Sequence, residues 1–180
     1  GTNGAMAWST LEAYNDVLRE VGRAQGVAVV DVARQLPKSS RYFYDFVHFT
    51  NDGAQAVARL AARALCPTLS ERFPRAEVVN DTVENLSRHL KAAGRDLSDA
   101  TISGLPWAAF TPERQELLLD ATVEALKPSG RFATFAYSHA IWLPQARRFR
   151  ELLESRFGRV ESSPVVWRNV PPAFVYRCRK

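Results

Sequence analysis

From Glu77 onward, short runs suited to strands alternate with segments of helical period, and a sheet covered by helices is the architecture that accommodates this rhythm. Glu77 to Asn80 predicts a strand, Val83 to Ala93 a helix, and Asp99 to Ser103 a second strand. Thr111-Pro112 opens the next helix with proline at its first position, where a missing N–H costs nothing, and Leu118, Ala121 and Ala125 mark its buried side. That helix ends at Lys127-Pro128-Ser129-Gly130, and Arg131 to Tyr137 reads as another strand. A helix around Ala146, Phe149, Leu153 and Phe157 then precedes two β runs, Arg159 to Trp167 and Ala173 to Arg179, parted by Asn169-Val170-Pro171-Pro172. The expected class is α/β: a three-layer, mainly parallel sheet with a C-terminal antiparallel hairpin at one edge.

The preceding segment is less regular. Leu11, Tyr14, Leu18 and Val21 recur at helical spacing, and Gly26 follows where a terminating glycine is expected. Val27 to Val30 is a β-branched run of strand length ending at Asp31. Pro37 to Tyr44 reads as a loop, after which Thr50 is an N-cap candidate with Asp52 in the first turn of an Ala-rich helix that Pro67 is expected to end. The seam is therefore placed at Cys66 to Ser70, dividing the chain into 6–68 and 69–180. One strand and two helices offer little core, so Val27 to Val30 is expected to join the downstream strands in one sheet. Gly1 to Ala5, ahead of the only methionine, Met6, are set aside as a scar or a cut end.

Apolar residues make up 46% of the 180, enough for a sizeable core. No apolar run reaches the length of a membrane span and no signal-peptide pattern opens the chain, so a cytoplasmic protein is expected, with attachment to a membrane surface as an extension. Cys66 and Cys178 lack metal-ligand spacing, and neither a metal site nor a disulfide framework is expected. Residues 1–68 carry seven Lys/Arg and six Asp/Glu, whereas residues 142–180 carry nine and three. The basic excess of that last stretch is either a solvated face or an attraction for an anionic membrane surface, with nucleic acid the less favoured partner.

Asp45 and His48 stand three apart before a helix. Acyl transfer needs such a pair: the imidazole takes the proton of a nucleophile, and the carboxylate fixes its tautomer and stabilises its charged form. The stretch Asp45-Phe46-Val47-His48-Phe49-Thr50-Asn51-Asp52-Gly53, with a Val-Val-Asp run before it and an Ala-rich helix after it, resembles the last block of the SGNH/GDSL hydrolases. That resemblance implies that Asp45 is the carboxylate partner and His48 the general base. The family's nucleophilic serine block and its oxyanion-hole Gly and Asn have no counterpart here, so no working triad is expected.

Asp81 and the run Ser103-Gly104-Leu105-Pro106-Trp107 each follow an expected strand, at the carboxyl ends where open α/β sheets hold ligands. Together with Arg72-Phe73-Pro74, Leu126 to Phe132 and Asn169 to Tyr176, these segments resemble the C-terminal half of the phospholipid N-methyltransferases, a class I family with a Rossmann-like sheet that uses S-adenosylmethionine. The resemblance implies that Asp81, Ser103 and Gly104 contact the cofactor, Asp81 through the adenine amino group. Leu105, Pro106 and Trp107 would line the methyl-acceptor site, where the Gly104 carbonyl and the Trp107 ring could hold an amine or ammonium headgroup. Gly104 stands where amino-directed methyltransferases often carry Asn or Asp. The Gly-rich cofactor loop and the ribose-binding acid have no counterpart, so weak cofactor binding is expected. The implied activity is methylation of the amine of a phospholipid such as phosphatidylethanolamine. Two alternatives stand beside it, a serine esterase using Asp45 and His48 and a non-catalytic fusion or truncated α/β protein.

Overall fold

The computed structural model describes residues 4–45 and 48–180, so Phe46 and Val47 of the hydrolase-like block lie outside the described residues. The chain separates into two units, Gly1–Asn80 and Asp81–Lys180.

In the first unit helix α1 spans Gly4–Gln25, a single turn α2 spans Val32–Gln35, and α3 spans Asn51–Arg72. Tyr14, Leu18 and Val21, the expected buried stripe of α1, are exposed. The inward element is Arg19, which pairs with Glu12 and Asp16 within α1 and ties the helix to the following segment through Asp31. Gly26, with a φ of 63°, ends α1 in the left-handed region that glycine enters without penalty. Val27 to Val30 pairs with no strand, and the expectation that it joins a common sheet fails. Its β-branched residues suit a strand, yet its fixed contacts are local: the Val27 N–H donates to the Gly22 carbonyl, and Asp31 caps α2 by accepting from the Arg34 N–H. Thr50 caps α3 as expected, accepting from the Gly53 N–H at 3.1 Å. The helix runs on through Pro67 to Arg72, past its expected end.

The second unit holds the sheet. Its strands are β1 (Ser98–Ser103), β2 (Leu126–Tyr137), β3 (Arg159–Ser162) and β4 (Ala173–Arg179), in the order β1-β2-β4-β3. β1 and β2 are parallel, while β4 is antiparallel to both β2 and β3, so the sheet is mixed and not mainly parallel. The antiparallel hairpin at one edge is as expected, although β3 is shorter than the run Arg159 to Trp167. Glu77 to Asn80 forms no strand. Lys127 to Gly130, expected as a turn, lies inside β2, where the pairing slips between Ser98 and Ala100.

Helices α4 (Leu86–Ala92), α5 (Pro112–Glu124) and α6 (Pro144–Arg156) complete the unit. Thr111 caps α5 and Pro112 begins it, as its sequence predicts. Phe132 and Thr134 on β2 and Phe174, Tyr176 and Cys178 on β4 point to one side of the sheet, where they bury with Leu118, Leu119, Phe149, Leu153 and Trp107. Alternation sends Arg131, Phe135 and Tyr137 to the other side, and these are exposed. Ile102 lies opposite Ala133 on that side and is 88% exposed.

Candidate functional site

Three side-chain systems bear on function, one in the first unit and two in the second.

In the first unit Asp45 and His48 form the expected pair. The Asp45 Oδ2 lies 2.7 Å from His48 Nδ1, and its Oδ1 accepts from the His48 N–H at 2.8 Å. This leaves Nε2, the atom that a general base would present to a nucleophile. The histidine side chain is 73% exposed, and among the described residues no hydroxyl bonds to its ring. Ser9 is spent on the Met6 carbonyl within α1. The pair is formed, but neither a nucleophile nor an oxyanion donor is assembled with it among the described residues.

Asp81 opens the second unit. Its Oδ1 accepts from the Thr82 N–H at 2.8 Å and from Asn85 Nδ2 at 2.9 Å, while Oδ2 meets Arg88 Nη2 at 2.6 Å and His89 Nε2 at 2.7 Å. The hydrogen bond with His89, followed by those from Asn85 and Thr82, holds this carboxyl well below the usual carboxylate range. An ionised carboxylate offers about four acceptor positions. All are in use, so an adenine amino group would enter only by displacing a donor, and Arg88, the more exposed of its two cationic-type partners, is the one most easily released. Sequence spacing could have revealed this network, because 85, 88 and 89 lie four, seven and eight residues beyond Asp81, on one helical face.

A carboxyl whose acidity rises on folding contributes stability above its unfolded pKa, near 4, and that contribution drains away as pH falls below it. The Asp81→Asn variant is therefore expected to unfold more easily than the parent at pH 7, with a smaller further loss between pH 5 and pH 2. Urea unfolding at several pH values measures this, and parallel acid limbs for the two proteins would count against the network.

The third system is built on the turn after β1. Ser103 Oγ accepts from the Leu105 N–H at 3.3 Å and from Trp107 Nε1 at 3.2 Å, while the Ser103 carbonyl accepts from Thr134 Oγ1 on β2 at 3.1 Å. One serine thus folds the turn back upon itself and fastens it to the neighbouring strand. Trp107 is buried, stacked on Phe149 with ring centres 4.5 Å apart and set edge-on to Phe110 and Phe132. These contacts make its ring a structural wall more than a free platform for a cation. A side chain at Gly104 would meet nothing within 4 Å, so this position faces open space.

Leu105, Pro106, Trp107, Phe135, Tyr137 and Phe149 line an apolar cavity of about 350 Å³, which sits where β1 and β2 end. A second groove of about 450 Å³ shares Ile141, Ala146 and Tyr176 with it and adds Trp142, Arg147, Arg150 and Val165. Trp142 on its lining is 72% exposed, and on the segment between β3 and β4 Trp167 is 75% and Val170 93% exposed. Arg147 lies over the Trp142 ring.

Sequence reasoning missed Gln115. It is fully buried on α5, and its Nε2 donates to the Trp107 carbonyl at 2.8 Å and to the Gln145 carbonyl at 3.0 Å. It joins the turn after β1 to the first residues of α6, both walls of the cavity. The available signal was a glutamine three and four residues ahead of Leu118 and Leu119 on an otherwise apolar helix face.

Cys178 is buried, and burial pushes its thiol up to about 12. No cluster of metal-ligating side chains occurs among the described residues, and no helix among them is long and apolar enough to cross a membrane.

No family model matches the chain, and no curated protein matches it. Three solved structures are similar in part. An rRNA methylase of Streptococcus thermophilus is 19% identical, with a TM-score of 0.45 over 70% of this chain and 68% of that one. A protein of Clostridium thermocellum assigned as an rRNA methylase is 16% identical, with a TM-score of 0.47 over 66% of each chain. A protein of Streptococcus mutans assigned as a methyltransferase, solved with S-adenosylhomocysteine, is 18% identical, with a TM-score of 0.41 over 70% and 71%.

Proposed function

We propose that this chain carries the methyl-acceptor side of an S-adenosylmethionine-dependent methyltransferase that acts on the amine of a phospholipid. The observation that carries this reading is the apolar cavity at the carboxyl ends of the parallel pair β1 and β2, walled by the turn Ser103 to Trp107. Methyl transfer to a lipid amine requires a site that excludes water, accepts apolar substance and leaves backbone oxygens free to orient the nitrogen. Gly104, next in sequence to the cavity residue Leu105, presents its backbone without a shielding side chain, and the cavity's own lining is almost wholly hydrocarbon. The exposed side chains of Trp142, Trp167 and Val170, with Arg147 over the Trp142 ring and Arg168 next to Trp167 in sequence, have the amphipathic character that settles at a bilayer interface. When bound, S-adenosylmethionine would supply the methyl group, with Asp81 and Ser103 as the residues that the resemblance assigns to it. Ser103 would act through the turn it holds, since its hydroxyl oxygen already serves two donors.

The test is transfer of tritiated methyl from millimolar S-adenosylmethionine to vesicles. Label is expected in phosphatidylethanolamine and not in phosphatidylcholine, whose nitrogen is already fully substituted. Ala140 also lines the cavity, and Ala140→Trp, which fills it, should reduce the label at least tenfold. Absence of label, or label indifferent to that substitution, would overturn the reading.

A further inference from the structure

The open side of the sheet carries a charge pattern that the cavity does not use. Pairing places Arg131 of β2 opposite Arg179 of β4, and Arg179 opposite Arg159 of β3, so three arginines stand in one row across three neighbouring strands. In the adjoining row Arg177 lies between Ala133 and Glu161. All four arginines are exposed, and they surround a shallow depression of about 300 Å³ together with Glu161. Glu161 is engaged by Arg159 through hydrogen bonds of 3.0 and 2.6 Å. Among the described residues Arg131, Arg177 and Arg179 pair with no carboxylate.

Like charges set directly opposite each other across strands destabilise a sheet, and this row contains two such oppositions that share Arg179. Neighbouring strands lie about 4.8 Å apart, so the three side chains rise from a line about 10 Å long. Long flexible side chains relieve part of the repulsion by splaying into water, but a multivalent anion would relieve it more fully. Guanidinium groups match phosphate oxygens through paired N–H donors, and the three that pair with no carboxylate, Arg131, Arg177 and Arg179, line one depression on adjoining strands and suit two linked phosphates better than a single small anion.

We propose that the arginine row is a binding site for a phosphate-rich anion of the diphosphate class, separate from the apolar cavity. Phe135, the nearest cavity residue on this strand side, is four residues along β2 from Arg131, about 13 Å away. The site does not rest on the methyl-transfer reading. The diphosphate can be free or can be represented by clustered anionic lipid headgroups, which present the same oxygens.

Thermal unfolding of the full chain, with and without inorganic pyrophosphate, tests the site. Pyrophosphate should raise the midpoint of the parent, and sodium chloride of equal ionic strength should not. Arg179→Gln removes both oppositions, so this variant should melt about 2–5 °C above the parent without anion and lose most of the response to pyrophosphate. Arg131→Gln should show the same two changes to a smaller degree, and Arg95→Gln, exposed and outside the row, should show neither. Competition then separates the sources. If phosphatidylserine-containing vesicles displace pyrophosphate while pure phosphatidylcholine vesicles do not, the row reads lipid headgroups; if neither competes, it reads a free diphosphate. Equal responses to chloride and pyrophosphate, or a pyrophosphate response that survives both Arg179→Gln and Arg131→Gln, would overturn the proposal.

Discussion

Replacing Gln115 by glutamate is expected to destabilise the chain by roughly 3–5 kcal/mol at neutral pH, a large share of the stability of an ordinary domain. The side chain has no access to solvent, and both carbonyls that its Nε2 serves, those of Trp107 and Gln145, lose their donor. Leaving a buried acceptor unsatisfied costs about 1–3 kcal/mol. A carboxylate adds the repulsion of oxygens facing oxygens and the penalty of burying charge. In the folded state the introduced carboxyl would have a raised pKa, so its penalty is smallest in acid, where the protonated group can donate to one carbonyl, and grows as pH rises. Gln115→Leu, which lacks charge, should cost roughly 2–4 kcal/mol with no such dependence on pH. Chemical denaturation at pH 5 and pH 8 distinguishes the two. A Gln115→Glu protein as stable as the parent at pH 8 would show that water reaches this site.

The second large effect is expected from Gly53→Ala. Alanine is favoured over glycine in a helix by about 1 kcal/mol, so propensity alone predicts a gain. The structure predicts a loss. A Cβ at this position would lie 2.0 Å from the Tyr42 carbonyl oxygen and 2.9 Å from its carbon. That carbonyl cannot simply turn aside, because it accepts the Thr50 N–H at 3.0 Å at the start of α3. The loop would have to leave the helix, breaking this bond and the bridge between Phe43 and Phe49. With Leu36 the one large apolar side chain fully buried among the described residues of this unit, little else resists the change. A net loss of about 2–3 kcal/mol is expected, visible as at least tenfold faster tryptic cleavage after Arg41. Unchanged cleavage would show that the loop yields freely.

Legibility in the sequence followed how local each determinant is. Thr50 and Thr111 could be recognised as caps because a cap is set by a few adjacent residues, and the strand pair near the C terminus could be recognised because two β runs flank one proline-rich turn. Val27 to Val30 misled for the same reason: local preference allows a strand, but a strand exists only if a distant edge receives it. Pro67 gives up one helical hydrogen bond, while the bond from the Phe73 N–H to Leu69 shows the turn beyond it intact. At the candidate site, the turn Ser103 to Trp107 was legible as a motif. The burial of Trp107 against Phe149 was not, since those residues are brought together only by the packing of α6 on the sheet.

The strand order has a consequence for how the second unit is made. β4 is the last strand to be synthesised, yet it occupies an interior position, with β2 on one flank and β3 on the other. Until Ala173–Arg179 has cleared the ribosome, β3 has no partner and β2 offers a bare edge, while Phe132 and Phe157 wait for the aromatic side chains that close the core. A nascent chain can form the β1–β2 pair with α5 early, but assembly of the whole sheet must wait for its final segment. During that interval the exposed strand edge is open to pairing with other chains, so the speed with which the segment after β3 is made and docks decides how long that edge stays bare.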